Sequence, residues 1–259
     1  MGHDQGVRSD QRNDPPSSVV GRITSILTVI EEAPGPVGIS EIAGATGLAK
    51  GTVHRLVAQL VDERLVERHE NSRLSLGVRL FELGTHVPLP RTLAQAALPL
   101  MVDLHQATDR QVHLAVLDGV EVVYVEIVRG GLPLSSSIGG RLPAHATGVG
   151  KALLAYSPRA VVAQRVEAGL TPMTRHTIVT APDLERALRD IRTNGTSYDH
   201  EESHLGVSCV AAPVFGADKK IRAALSVTGQ TQLMDLPRLG VAVRTAAFTL
   251  SRQLRDAGL

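Results

Sequence analysis

From Val20 onward, apolar residues recur at three- and four-residue steps. Val20, Ile23, Ile26, Leu27 and Ile30 line one face of a predicted helix, and Ala33-Pro34-Gly35-Pro36 stops it. Ser40 is placed as the N-cap of a second, short helix, with Glu41 in its first turn and Ile42 and Ala43 on its buried side. Gly47 is read as the left-handed residue that ends it. A third predicted helix carries Val53, Leu56, Val57, Leu60 and Val61, an i, i+3, i+4, i+7, i+8 stripe and the clearest amphipathic signal in the chain. Two short β-compatible runs, 65–68 and 74–76, flank a polar turn at 69–73.

The second half alternates strand and helix signals. Ala97, Leu100, Met101 and Leu104 mark a helix. The β-branched runs 112–117 and 120–127 are joined by Asp118-Gly119, a hairpin signal. A helix is expected from about Val149 to Tyr156, and another through Leu184, Ala187, Leu188 and Ile191, closed by Asn194-Gly195. Strands at 208–215 and 222–229 follow, then a last helix carrying Leu239, Val243, Ala246, Ala247 and Leu250. The expected fold class is α+β, with an antiparallel sheet and helices packed against it.

Two short helices joined by a Gly-containing turn, followed by a hairpin, form a winged helix-turn-helix. The apolar stripe fixes the third helix to its neighbours. Its opposite face, near Lys50, Gly51, Thr52, His54, Arg55 and Gln59, is then free to enter a major groove. Arg73 at the wing tip is expected to reach a phosphate or the minor groove, and Arg22 and Ser40 complete the candidate DNA contacts. Charge tempers this reading. Between Val19 and Arg79 seven basic residues meet seven acidic ones, so the segment is also compatible with a three-helix domain that binds a protein partner.

Composition narrows the classes. The 259 residues are 43% hydrophobic and 20% charged, with net charge +1 and a single cysteine, Cys209. This excludes a disordered chain, a disulfide framework and a Cys-rich zinc finger. Aromatics are 2% of residues, too few for a stacking platform for single-stranded nucleic acid. No stretch approaches the roughly 20 apolar residues of a membrane span, and the polar opening lacks a signal-peptide core. A cytoplasmic protein is expected. The domain expectation is a disordered tail over 1–17, a winged helix-turn-helix over 18–78, a linker over 79–91 and an effector-binding and oligomerisation domain over 92–259.

One segment mimics an enzyme. His200-Glu201-Glu202-Ser203-His204 has the H-E-x-x-H spacing of zinc peptidases, which makes a metal-dependent hydrolase the alternative function. That chemistry needs a continuous helix with both histidines on one face, and Gly195 and Gly206 bracket this segment closely. Cys209 could serve as a nucleophile only with an activating base beside it. Gly148-Val149-Gly150-Lys151 lacks full phosphate-loop spacing. No catalytic residue, cofactor or resident metal is expected. What remains is a binding pocket. Residues 147–150 bring backbone N–H groups to a helix start, which suits an anion such as a carboxylate. Ser226 and Thr228 share a strand face with Ala224, Cys209 and Ala211 share one on the neighbouring strand, and Asp199 is placed just after a strand as an acceptor for a ligand hydroxyl.

Three stretches resemble the IclR family of bacterial transcription regulators over about residues 19–255. They are 38–43 with 48–56, then 142–155, and then 199–215 continued by 225–229. The resemblance implies a winged helix-turn-helix, a linker helix and a GAF-like effector domain. It implies homodimers or homotetramers on double-stranded operator DNA. By matching positions it implies effector contacts from Gly148, Val149, Asp199, Val207, Cys209, Ser226 and Thr228. Thr228 departs from the pattern, since Ser is common there; the hydroxyl is kept and the added methyl narrows the site. The implied function is a ligand-responsive regulator, more often a repressor, of a catabolic operon that senses a small organic acid or related metabolite.

Overall fold

The computed structural model describes residues 17–131 and 136–259; the expected tail over 1–17 therefore lies, except for Ser17, outside the described residues. The chain divides between Val87 and Pro88 into two compact units.

In the first unit, α1 (Val19–Glu32), α2 (Ile39–Thr46) and α3 (Lys50–Asp62) precede the hairpin strands β1 (Val66–Arg68) and β2 (Leu74–Leu76) and the short helix α4 (Val78–Gly84). Ser18 caps α1 by accepting from Gly21 N at 2.9 Å. The predicted stripe is the core: Val53, Leu56, Val57 and Leu60 of α3 pack with Ile26, Ile30, Ile42 and Leu74. Gly47 takes φ 68°, as its role in ending α2 requires. Ser40 does not cap α2. The helix begins two residues earlier, with Gly38 as N-cap, and Glu41 reaches back to accept from Gly38 N at 2.7 Å. Glycine has no side chain to cap the first turn, and the carboxylate of Glu41 instead satisfies the N–H of the N-cap residue itself. Gly77, at the hairpin exit, is required for space: a Cβ there would lie 2.1 Å from the Arg64 carbonyl oxygen.

The second unit opens with α5 (Pro88–Thr108). This helix starts well before the expected Ala97, because Pro88 and Pro90 fall in a first turn, whose N–H groups have no helical partner to lose. Residues 79–91, expected as a linker, hold all of α4 but its first residue, residues 85–87 and the first turn of α5. The strands that follow are β3 (Gln111–Asp118), β4 (Glu121–Val128) and β5 (Arg141–Pro143). Then come the helices α6 (Gly148–Ala155), α7 (Arg159–Glu167) and α8 (Ala181–Asn194). The chain ends with β6 (Ser197–His200), β7 (Val207–Phe215), β8 (Ile221–Gln230) and α9 (Leu236–Asp256). One antiparallel sheet results, in the order β5-β4-β3-β8-β7-β6.

Both faces of this sheet are covered. On one, Val112, Leu114, Val210, Ala212, Leu225 and Val227 pack against Leu93, Ala97 and Met101 of α5 and Val243, Ala247 and Leu250 of α9. On the other, Ala115, Ala211 and Ala224 meet Val149, Leu153 and Leu154 of α6 and Leu184 and Leu188 of α8. The alternation of side chains along each strand assigns them to one layer or the other. The residues left over on the α6 side are polar, and they form the site.

Candidate functional site

Register brings four polar side chains into a row across the sheet. Gln111 of β3 pairs with Thr228 of β8, Thr228 with Cys209 of β7, and Cys209 with Asp199 of β6. One step along the strands, His113 pairs with Ser226. Asp199 lies inside β6 and not after it, as expected from sequence; the short edge strand continues to His200.

The N-terminus of α6 faces these rows. Thr147 is its N-cap and accepts from Gly150 N at 2.9 Å. Gly148 and Gly150 are needed for close approach. A Cβ at Gly148 would stand 3.0 Å from Cys209 Sγ, and one at Gly150 would stand 2.1 Å from the Ala144 carbonyl oxygen. Between helix start and sheet lies a cavity of about 160 Å³. All seven expected effector residues line it: Gly148, Val149, Asp199, Val207, Cys209, Ser226 and Thr228. The sequence reading missed His113, Tyr124, Ser136, Leu142, Met173, Ser203 and His204, which complete the lining.

Burial sets the electrostatics. Asp199 is 2% exposed. Its carboxyl is pushed up to about 6, first by desolvation, against the attraction of Lys151 and the Ser203 hydrogen bond. It accepts from Glu202 N at 2.6 Å and from Ser203 Oγ at 2.8 Å. Burial also raises the Cys209 thiol to about 12, with Asp199 adding to the effect, so the thiol is an un-ionised hydrophobe and not a nucleophile. Burial lowers His113 to about 4, so its ring is neutral at pH 7. Behind the cavity, Lys151 of α6 forms a buried ion pair with Glu202. Thr174 and Thr177 tie the segment before α8 to the same bend by donating to Glu201 O and Glu202 O, each at 2.6 Å.

In the first unit, α3 turns Lys50, Gly51, His54, Arg55 and Gln59 outward while Val53, Leu56 and Val57 are buried; Thr52 is half-buried. Arg22 shares a surface hollow with Arg55 and Gln59. Ser40 is exposed in the first turn of α2. Arg73 is not at the wing tip, which is formed by Glu70 and Asn71. Its guanidinium is drawn back to α2, donating to Pro36 O at 2.6 Å and to Glu41 Oε2 at 3.0 Å. Two acceptors at the base of the hairpin hold it there more favourably than solvent at the tip.

The IclR helix-turn-helix domain matches residues 19–70, and the C-terminal domain of the bacterial transcriptional regulator IclR matches residues 89–252. The chain belongs to the IclR family. Its relatives include the regulator XynR of Escherichia coli, 34% identical over 91% of this chain and 96% of XynR. The transcriptional repressor IclR of E. coli is 32% identical over 79% of this chain and 77% of its own length. Among solved structures, an IclR homologue from Microbacterium hydrocarbonoxydans, complexed with 4-hydroxybenzoate, superposes with a TM-score of 0.85 at 26% identity. The match covers 92% of this chain and all of that one.

As an IclR-family protein the chain is a DNA-binding transcription regulator with a helix-turn-helix domain and an effector domain, and it is not an enzyme. The structure removes the hydrolase alternative as well. His200 ends a strand, where its ring stacks on Tyr198 with centroids 5.9 Å apart. Glu201 takes φ 62°, and the bend that follows is not helical. His200 and His204 therefore never share a helix face, and the second Glu is spent on Lys151. Among the described residues no helix is long and apolar enough to cross a membrane.

Proposed function

We propose that this IclR-family regulator is a ligand-responsive repressor of a catabolic operon, whose effector is a small hydroxylated carboxylic acid held in the cavity between α6 and the sheet. The observation that carries this reading is the convergence of all seven expected effector residues on that one cavity. Backbone N–H groups at the α6 start and the hydroxyls of Ser226 and Thr228 suit a carboxylate. Asp199, short of water, suits a ligand hydroxyl. The volume of about 160 Å³ compares with the ~150 Å³ apolar cavity that accepts benzene, so the ligand is no larger than one substituted ring or a short chain. Leu142, Val149, Met173 and Val207 give aliphatic walls that can hold a ring without aromatic stacking. The 4-hydroxybenzoate bound by the Microbacterium relative is of this class.

We further read Arg22, Lys50, Gly51, Thr52, His54, Arg55 and Gln59 as the operator-facing set, with Arg73 as a brace between hairpin and α2. The first unit carries no net positive charge to hold DNA alone, so a homo-oligomer on a palindromic operator is expected, two tethered units gaining through effective concentration. Replacing Ser226 by Ala and Thr228 by Val together should abolish effector response in an operator mobility-shift assay while leaving operator affinity within twofold. A double variant that still released operator at the parent's effector concentration would refute the pocket assignment.

A further inference from the structure

The polar row continues beyond the cavity wall. Gln111 and His113 are 1% and 3% exposed, so their polar atoms must find partners within the protein; both ring nitrogens and Gln111 Nε2 do, while Gln111 Oε1 has none among the described residues. Gln111 Nε2, which can only donate, lies 3.1 Å from His113 Nε2 and 3.3 Å from Ser136 Oγ. Ser136 Oγ is itself 3.1 Å from His113 Nε2. His113 Nε2 is therefore the acceptor, and in a neutral ring the proton then sits on Nδ1. Nδ1 is 3.2 Å from Thr228 Oγ1, so it donates to that hydroxyl. With a lone pair of Thr228 engaged by the ring, its hydroxyl proton is left to be donated on the other side, toward Cys209, whose thiol it hydrogen-bonds, and the cavity that both residues line, where a ligand oxygen is the stronger acceptor.

We propose that Gln111 and His113 are positioning residues that fix Thr228 as a hydrogen-bond donor into the effector cavity, and so select a ligand oxygen that can only accept. This rests on the reading of the cavity as the effector site. Tyr124 points the same way. Its side chain is 7% exposed, it lines the cavity, and its hydroxyl has no hydrogen-bond partner among the described residues. Its ring lies 5.1 Å from that of His113. The sheet wall thus offers the ligand two hydroxyls, and the direction of the one on Thr228 is set from behind. A carboxylate satisfies them; a primary amide at the same place brings its own N–H groups against donors and leaves some of these unpaired.

Two measurements on the full chain test this. In protein labelled with ¹⁵N-histidine, long-range ¹H–¹⁵N correlation should show His113 as the Nδ1–H tautomer, its signals identified by their loss in His113→Phe. Gln111→Glu, whose carboxylate only accepts, should move the proton to Nε2. An Nε2–H tautomer in the parent would overturn the proposal, because Thr228 would then donate to the ring and accept from the ligand. In the second measurement, calorimetry with 4-hydroxybenzoate and 4-hydroxybenzamide should show a preference for the acid. That preference should fall about tenfold in His113→Phe, the worth of one hydrogen bond to a charged group. His113→Gln, whose side chain can accept from Gln111 and donate to Thr228, should restore part of it. An undiminished preference in a folded His113→Phe refutes the relay; if that variant does not fold, Gln111→Glu supplies the same comparison. If neither compound binds the parent, the carboxylate reading of the cavity fails, and the tautomer still decides the relay.

Discussion

Asp199→Asn should make the protein more stable at neutral pH while impairing its effector response. Asp199 has an ordinary carboxyl value of 3.8, raised to about 6 in the folded chain. Because the folded value lies above the ordinary one, this group's contribution to stability is fully present below about pH 3.8 and is lost as pH rises through about 6. At ~1.4 kcal/mol for each tenfold change in proton affinity, the loss amounts to about 3 kcal/mol. The side chain is 2% exposed, so solvent screening does not reduce the figure. Asparagine carries no charge and keeps one acceptor oxygen for Glu202 N or Ser203 Oγ. One lost hydrogen bond costs roughly 1 kcal/mol, which leaves a net gain of about 2 kcal/mol at pH 7.5. Urea denaturation of parent and variant at pH 4.5, 6 and 7.5 reads this directly: the variant's advantage should grow with pH, most steeply between the ordinary value of 3.8 and the folded value of about 6, and level off above it. Parallel pH profiles would show that burial does not hold this carboxyl out of its ordinary range, and the account of the cavity's electrostatics would fail with it.

Arg55→Ala should weaken specific operator binding by about 1–3 kcal/mol if Arg55 reads a base, with no change in the thermal melt, since the side chain stands off the apolar stripe; unchanged affinity in a titration would remove it from the interface. Lys151→Met should cost about 3–5 kcal/mol by leaving the buried Glu202 carboxylate uncompensated, and Lys151→Met with Glu202→Leu should recover most of it. A double variant as unstable as the single one in denaturant melts would show that the ion pair is not what holds α6 to the bend after β6.

What was legible in the sequence followed from local periodicity. The α3 stripe, the left-handed Gly47, the start of α6 at Thr147 and the hydroxyl face of β8 each rest on residues within a few positions of one another. What was not legible depends on register or on competition between neighbours. His113 and Tyr124 sit in β-branched runs that read as plain strands, and only the pairing of β3 with β8 brings His113 to Thr228. Met173, Ser203 and His204 come from bends without periodicity. Helix α7 escaped because its alanines and valines are spread around the helix without forming one apolar face, and Arg165, not an apolar side chain, is the one it buries. Ser40 and Arg73 went astray for one shared reason: both had Glu41 as an unseen competitor, which caps α2 itself and draws Arg73 inward.

The strands β3, β7 and β8 have no spare face. Residues of one parity, such as His113, Cys209, Ser226 and Thr228, line the cavity, and those of the other, such as Val112, Val210, Leu225 and Val227, are packed on α5 and α9. The cavity wall and the seat of the two long helices are therefore written in alternate letters of the same text. Substitutions at one parity can reshape the cavity without replacing a side chain that packs on α5 or α9. Substitutions at the other can repack those helices while leaving the side chains that line the cavity as they were.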